Sequence, residues 1–270
     1  MSSKRWRLIE SLMERGITSK ALWKTIDPCE YRRYKKKTKR GWTVVDLLRD
    51  TTTHLPWSMT LKVYLIQGKV PRYIEGNSVY QVLEANDYCP RSVGSLILLW
   101  AERESARNTL WISGGPDTGA DALVECLFYL APIRSVADSR RENPFCRCTP
   151  SVLIWWNGGR IQEQHVGLVR QVFGGEHVIF PTLCWEEGLV KELYRTPVLA
   201  SSDAMDIVVD ARGLELDGYS PMLSSTMYRL NLTEKMPDLE ITESDLQEFF
   251  SWVQCRPSPV NDNVHSLFNC

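Results

Sequence analysis

The sequence predicts an α/β protein, a largely parallel sheet flanked by helices and preceded by a small helical bundle. Two observations carry this. Short, continuous apolar segments at 109–112, 151–156, 196–202 and 227–232 have the character of strands buried on both faces. They alternate with amphipathic helical patterns, the mark of strand–helix–strand crossovers. A third observation divides the chain. Residues 1–50 hold 14 Lys/Arg against 6 Asp/Glu, a balance of +8, while the remainder carries −9. A basic front and an acidic body point to two functional parts.

At the front, residues 4–15 place Trp6, Ile9, Leu12 and Met13 on one helical face, and Gly16 ends that helix. Thr18 or Ser19 caps a second helix carrying Leu22, Trp23 and Ile26, which stops near Asp27-Pro28. A run with seven basic residues in ten follows: Arg32, Arg33, Lys35, Lys36, Lys37, Lys39 and Arg40, interleaved with Tyr31 and Tyr34. Three readings stay open for it: a solvated helix face, a nuclear-import signal, or a contact to nucleic-acid phosphates. Residues 42–50 form another amphipathic helix through Val44, Val45, Leu47 and Leu48.

In the body, helices are expected at 78–86 and 91–105, then the first strand. Residues 131–150 read as a loop, 151–156 as a strand and 161–173 as a helix ended by Gly174-Gly175. A hairpin is expected from His177–Phe180 and Leu183 onward. Residues 196–202 and 227–232 are core strands, and 242–254 a final helix on which Thr242 and Asp245 approach a capping box. The tail from Arg256, with two prolines, reads as loose.

The informative stretch is Thr109–Asp121, Thr-Leu-Trp-Ile-Ser-Gly-Gly-Pro-Asp-Thr-Gly-Ala-Asp. It reads as a strand, a glycine turn and a helix start, the frame of a phosphate-binding P-loop. Gly114 and Gly119 have the required spacing, but Ala120 and Asp121 stand where lysine and Ser/Thr are needed. The lost hydrogen bond to a charged group costs about 1.5–3 kcal/mol. A carboxylate about 4 Å from a phosphate adds repulsion of up to ~4 kcal/mol at an effective dielectric of 20. A plain glycine–proline turn before a capped helix remains the alternative at this point.

Eight scattered cysteines form no CxxC pair, the nearest two being Cys146 and Cys148, and histidines number four. No metal site is therefore predicted, and thiols of a reducing compartment are expected. No leader is expected from Met1-Ser-Ser-Lys-Arg5, and the apolar run 93–101 is too short to span a bilayer.

Together the motifs resemble a known family. The order Thr-Leu-Trp-Ile, G-x-x-x-x-G, Asn-Pro-Phe, Ile154-Trp155-Trp156, Gly174-Gly175, Thr196-Pro197-Val198 resembles the superfamily 3 helicase domain of parvovirus replication proteins, such as adeno-associated virus Rep. The front, Glu14-Arg-Gly-Ile-Thr-Ser-Lys-Ala-Leu-Trp23, is similar to the oligomerisation bundle before that helicase, and the likeness extends to Phe249-Phe-Ser-Trp252. The family's nicking endonuclease is expected to be lacking, as in the stand-alone Rep-like proteins of avian adenoviruses. The resemblance implies a P-loop AAA+-type domain at 67–255, an oligomerisation-like bundle at 1–66 and a tail at 256–270.

It also implies where working residues should stand. The metal-binding and water-activating carboxylates after the double tryptophan are Asn157 and Gly158 here; the polar sensor is Asp203; the arginine finger is Thr226; and the channel hairpin, Phe180–Glu187, holds no lysine. ATP and Mg²⁺ binding are therefore expected to be lost, since phosphoryl transfer rests on positioning and charge neutralisation. The expected function is a non-catalytic regulatory or binding module. The alternatives are a DNA-binding or ring-poisoning subunit in viral DNA replication and, more distantly, an active helicase. Expected partners are a second copy, a Rep-type helicase, DNA through the basic run, or viral or host regulatory proteins, with no membrane. The expected compartment is the host nucleus, otherwise the host cytoplasm.

Overall fold

A computed structural model describes residues 3–35, 41–148, 150–180, 192–203, 208–210 and 212–258. The front is helical: α1 (Ser3–Glu14), α2 (Lys20–Ile26), α3 (Pro28–Lys35), α4 (Val44–Ser58) and α5 (Lys62–Leu65). Ser19 caps α2 by accepting from the Leu22 N–H, and Thr43 with Asp46 forms a full capping box on α4. The first half of the basic run, Arg32, Arg33 and Lys35, lies on α3. Lys36, Lys37, Lys39 and Arg40 lie outside the described residues. Then follow α6 (Ser78–Ala85) and α7 (Pro90–Ala101).

The body's main sheet is built from β1 (Thr109–Gly114), β2 (Arg134–Val136), β3 (Leu153–Asn157), β7 (Val198–Ser202) and β9 (Met227–Leu232), in the order β2-β3-β7-β1-β9. All its pairs are parallel. Helices α8 (Ala120–Leu130), α9 (Val166–Gly174), α10 (Ser220–Ser224) and α11 (Glu243–Cys255) flank it. Short pairs β4 (Ile161–Gln162) with β8 (Val208–Val209), and β5 (Val178–Ile179) with β6 (Glu192–Leu193), complete the described strands. This is the α/β fold with an N-terminal helical bundle that the sequence predicts.

Side chains on β3 alternate between two cores. Trp156 is buried against Phe145 and Phe173 on the α9 side. Trp155 turns to the other face, packs on Phe128 of α8 and donates its indole N–H to Ser201 Oγ at 2.8 Å. That second face shares one apolar cluster with α7, α8, α11 and the front helices, from Leu8 and Ile9 through Leu65. The apolar core is therefore continuous across residue 66.

Several sequence expectations change, and the helix expected at 42–50 runs on to Ser58 as α4. The helix at 161–173 begins only at Val166, because buried Ile161 pairs with Val208 and a tight turn intervenes at Glu163–His165. The loop at 131–150 contains β2, an edge strand whose mixed exposure hides it from an apolar-run search. The helix expected to reach 105 stops at Ala101, where Arg103 takes a left-handed φ of 66°. Finally, Cys89 is disulfide-bonded, against the expectation of thiols throughout. The hairpin residues 181–191 and the tail from 259 lie outside the described residues.

Candidate functional site at the carboxyl edge of the sheet

Parallel pairing brings the ends of β1, β3, β7 and β9 to one edge. Ser113 is in register with Ser202 and with Asn231, Gly114 with Leu232, and Asn157 with Ser201. Gly114, Asn157, Gly158 and Asp203 therefore lie along this edge, and the loop from Gly114 runs into α8 there with Gly119, Ala120 and Asp121. This is where open α/β sheets bind ligands. Thr226 is at the opposite edge, just before β9, and its N–H and hydroxyl both bond the Leu223 carbonyl, at 2.9 and 2.7 Å.

The loop is closed on itself. Gly119 is left-handed at φ 80°, so α8 begins only at Ala120 and not at Thr118. The Thr118 hydroxyl donates to the Gly115 carbonyl at 2.8 Å and accepts weakly, at 3.4 Å, from the Ala120 N–H. A helix-start amide that could face an anion thus has an internal acceptor. Ala120 is 3% exposed and belongs to the apolar core. Asp121, Asn157, Gly158 and Asp203 are exposed.

The sequence reading missed a clasp over this loop. The connection after β9 returns to it, and the Met236 N–H donates to the Asp117 carbonyl at 2.7 Å. Asp117 is itself left-handed, at φ 65°. Asn86, past the end of α6, holds the same connection by accepting from the Thr233 and Glu234 N–H groups at 2.6 and 3.0 Å. Met236 and Leu239 pack on the core beneath. The available signal was Pro116-Asp117, since aspartate tolerates the left-handed turn.

The edge is tied together by neutral polar pairs. Trp111 donates to Ser202 Oγ at 2.9 Å, and Ser113 to Asn231 Oδ1 at 3.1 Å. An amide at 157 can accept a hydrogen bond but supplies no charge for Mg²⁺. No lysine reaches a phosphate position from 120, so these residues do not fit an ATP–Mg²⁺ complex of the usual kind. Among the described residues, no group of three or more His, Cys, Asp and Glu is arranged to hold a metal.

Elsewhere, burial governs the titratable groups. It pushes the Cys148 thiol up to about 12 and that of Cys126 to about 11, the latter raised further by Glu243 and Glu125. It also lowers the His165 imidazole below its ordinary 6.5.

The strand order, the glycine loop after β1 and the preceding helices define a superfamily 3 helicase-like domain. The parvovirus non-structural protein NS1 family matches residues 1–265, and the chain belongs to that family. The chain is 37% identical to ORF2 of fowl adenovirus A serotype 1, an uncharacterised protein, with 98% of each covered. It is 26% identical to Rep52 of adeno-associated virus 2 over 92% of this chain and 62% of Rep52. Initiator protein NS1 of human parvovirus B19 is 23% identical over 91% of this chain, which spans 37% of that protein. Of solved structures, a JCV helicase aligns with a TM-score of 0.48 at 8% identity, covering 86% of this chain and 73% of that one.

Proposed function

We propose that this Rep/NS1-like domain is a non-catalytic binding module that neither hydrolyses ATP nor unwinds DNA. The observation that supports this most is Ala120: a buried methyl, packed into the core, at the position where a P-loop places its phosphate-binding lysine. Asn157 removes charge from the second essential position, and Thr226 offers a short side chain bonded to its own backbone where a finger is required. Loss of a finger alone is worth about 10³–10⁵ in rate. Isothermal calorimetry of the full chain with ATP, with and without Mg²⁺, tests the proposal. No heat up to millimolar ATP is the expected result, and Mg²⁺-dependent binding would overturn it.

A second reading, DNA binding without unwinding, is favoured by α3. Arg32, Arg33 and Lys35 are exposed there, and none has an ion-pair partner among the described residues. Such a face binds phosphates without reading sequence.

A further inference from the structure

A cavity of about 480 Å³ opens where the start of α7 meets the end of α11. Arg72, Arg91 and Arg256 line it, and all three are exposed. No carboxylate lies within ion-pair distance of any of them among the described residues. Glu75 is the carboxylate among the lining residues. Helix α7 begins here without a side-chain cap, so the positive end of its dipole adds to the same field.

Beneath these cations the surface is aromatic. Trp252 is 7% exposed, with the Tyr80 ring edge-on at 6.0 Å and the Arg91 guanidinium 5.5 Å above its own ring. Beside Arg72, Tyr73 is 74% exposed and carries the Arg72 guanidinium 5.5 Å from its ring centre. Val70, three residues before Tyr73, is exposed as well. Arginine and tyrosine around an apolar floor are the residue types that anchor protein interfaces. Arginines that lack an ion pair are complemented by carboxylates, each of which a guanidinium holds through two parallel hydrogen bonds. A nucleic-acid strand fits this surface less well. Arg91 covers the face of Trp252, so that ring offers no base a stacking platform. The cations also gather in one cavity with Glu75 among them, where a phosphate backbone needs a continuous basic groove.

We propose that this cavity is the docking site for an acidic segment of a partner protein, whose carboxylates pair with Arg72, Arg91 and Arg256 and whose apolar side chains pack on Tyr73 and Val70. Charge complementarity draws the segment in, and the exposed tyrosine and valine supply apolar contact. The proposal rests on the binding-module reading and gives that module a partner chemistry. It calls on none of the α3 residues.

Fluorescence anisotropy on the full chain tests it, with a set of labelled Asp/Glu nonapeptides that each carry Leu-Phe at a different position. Members of the set should bind, and more weakly as salt rises. Replacing Arg72, Arg91 and Arg256 together with glutamine should weaken that binding by about tenfold or more, while alanine at Arg32, Arg33 and Lys35 should leave it unchanged. Glu75→Gln should tighten it about twofold to threefold, a gain that an unfolded variant cannot produce. No binding by any peptide overturns the site, and so does binding that is lost with the α3 residues instead. A single-stranded oligothymidylate that binds more tightly through the same three arginines would assign the cavity to nucleic acid. A sedimentation coefficient that drops in the triple-glutamine variant would assign it to a second copy of the chain, and either result overturns the proposal. Calorimetry with ATP reads a different site, so the binding-module reading and this docking site fail on separate measurements.

Discussion

Gly114 and Ala120 face each other so closely that a Cβ added to Gly114 would lie 2.8 Å from the Ala120 Cβ. The same atom would meet Thr118 Oγ1 at 2.5 Å and the Leu232 carbonyl oxygen at 2.7 Å. The glycine is therefore needed for packing, whether or not a phosphate ever binds. Gly114→Ala should destabilise the fold by about 1–3 kcal/mol, the usual cost of overpacking. Urea denaturation reads this directly, and an unchanged midpoint would show that the loop relaxes freely.

Asn108 organises the other end of β1. It is buried, and its side-chain amide donates to the Val172 carbonyl at 2.9 Å and the Thr196 carbonyl at 2.8 Å. Its own carbonyl accepts from the Trp100 indole at 2.9 Å. One residue thus joins α7, α9 and the approach to β7. Asn108→Ala leaves the Thr196 carbonyl without that donor, a loss of about 1–3 kcal/mol, while the Val172 carbonyl still accepts from the Gly175 N–H at 3.1 Å. The expected loss in urea is about 1–3 kcal/mol. A loss below about 1 kcal/mol would mean that water replaces the amide.

Strands β1, β3, β7 and β9 were legible in the sequence because burial on both faces leaves an unbroken apolar signature. The caps at Ser19 and Thr242 are written locally in the same way. What depends on long-range partners was not legible. Strand β2 exists because Ser135 pairs with Ile154, not because of its own composition. The clasp over the loop joins Asn86 to Thr233, 147 positions on, and Met236 back to Asp117. The glycine spacing likewise identifies the loop, but not that its amides and carbonyls are engaged from within the chain.

Restoring the two residues a P-loop requires should not restore turnover. Ala120→Lys with Asp121→Thr returns the phosphate contact and the hydroxyl, but Asn157 and Thr226 remain. Without a carboxylate for the metal and without a finger, charge in the transition state stays unneutralised. A phosphate-release assay should find the double variant at background, with or without DNA. Measurable turnover would sink the non-catalytic reading.

The α3 face makes a separate, quantitative prediction. If Arg32, Arg33 and Lys35 neutralise phosphates, binding to double-stranded DNA should be independent of sequence and weaken steeply with salt. Each neutralised phosphate adds about 0.9 to the slope of log K against log salt, so replacing all three residues with alanine should reduce that slope by up to about 2.7. Fluorescence anisotropy over a salt series gives both slopes, and an unchanged slope would reject the DNA-binding reading for this helix.

His165 gives the fold a defined response to acid. Its side chain is 3% exposed, and burial holds the imidazole below its ordinary 6.5, partly opposed by a backbone hydrogen bond at Ser139. The folded chain therefore takes up this proton at lower pH than the unfolded chain does. Stability from the neutral ring is complete above pH 6.5 and falls as pH drops through 6.5 towards the folded value. The carboxylates of Asp46 and Asp138 respond later, because hydrogen bonds to Thr43 and Arg140 hold them below 3.8. Between pH 7.5 and 5.5 the urea midpoint of the parent chain should fall, and His165→Gln should remove part of that fall while leaving the response below pH 4 intact. Equal pH dependence in the two chains would place the acid sensitivity elsewhere.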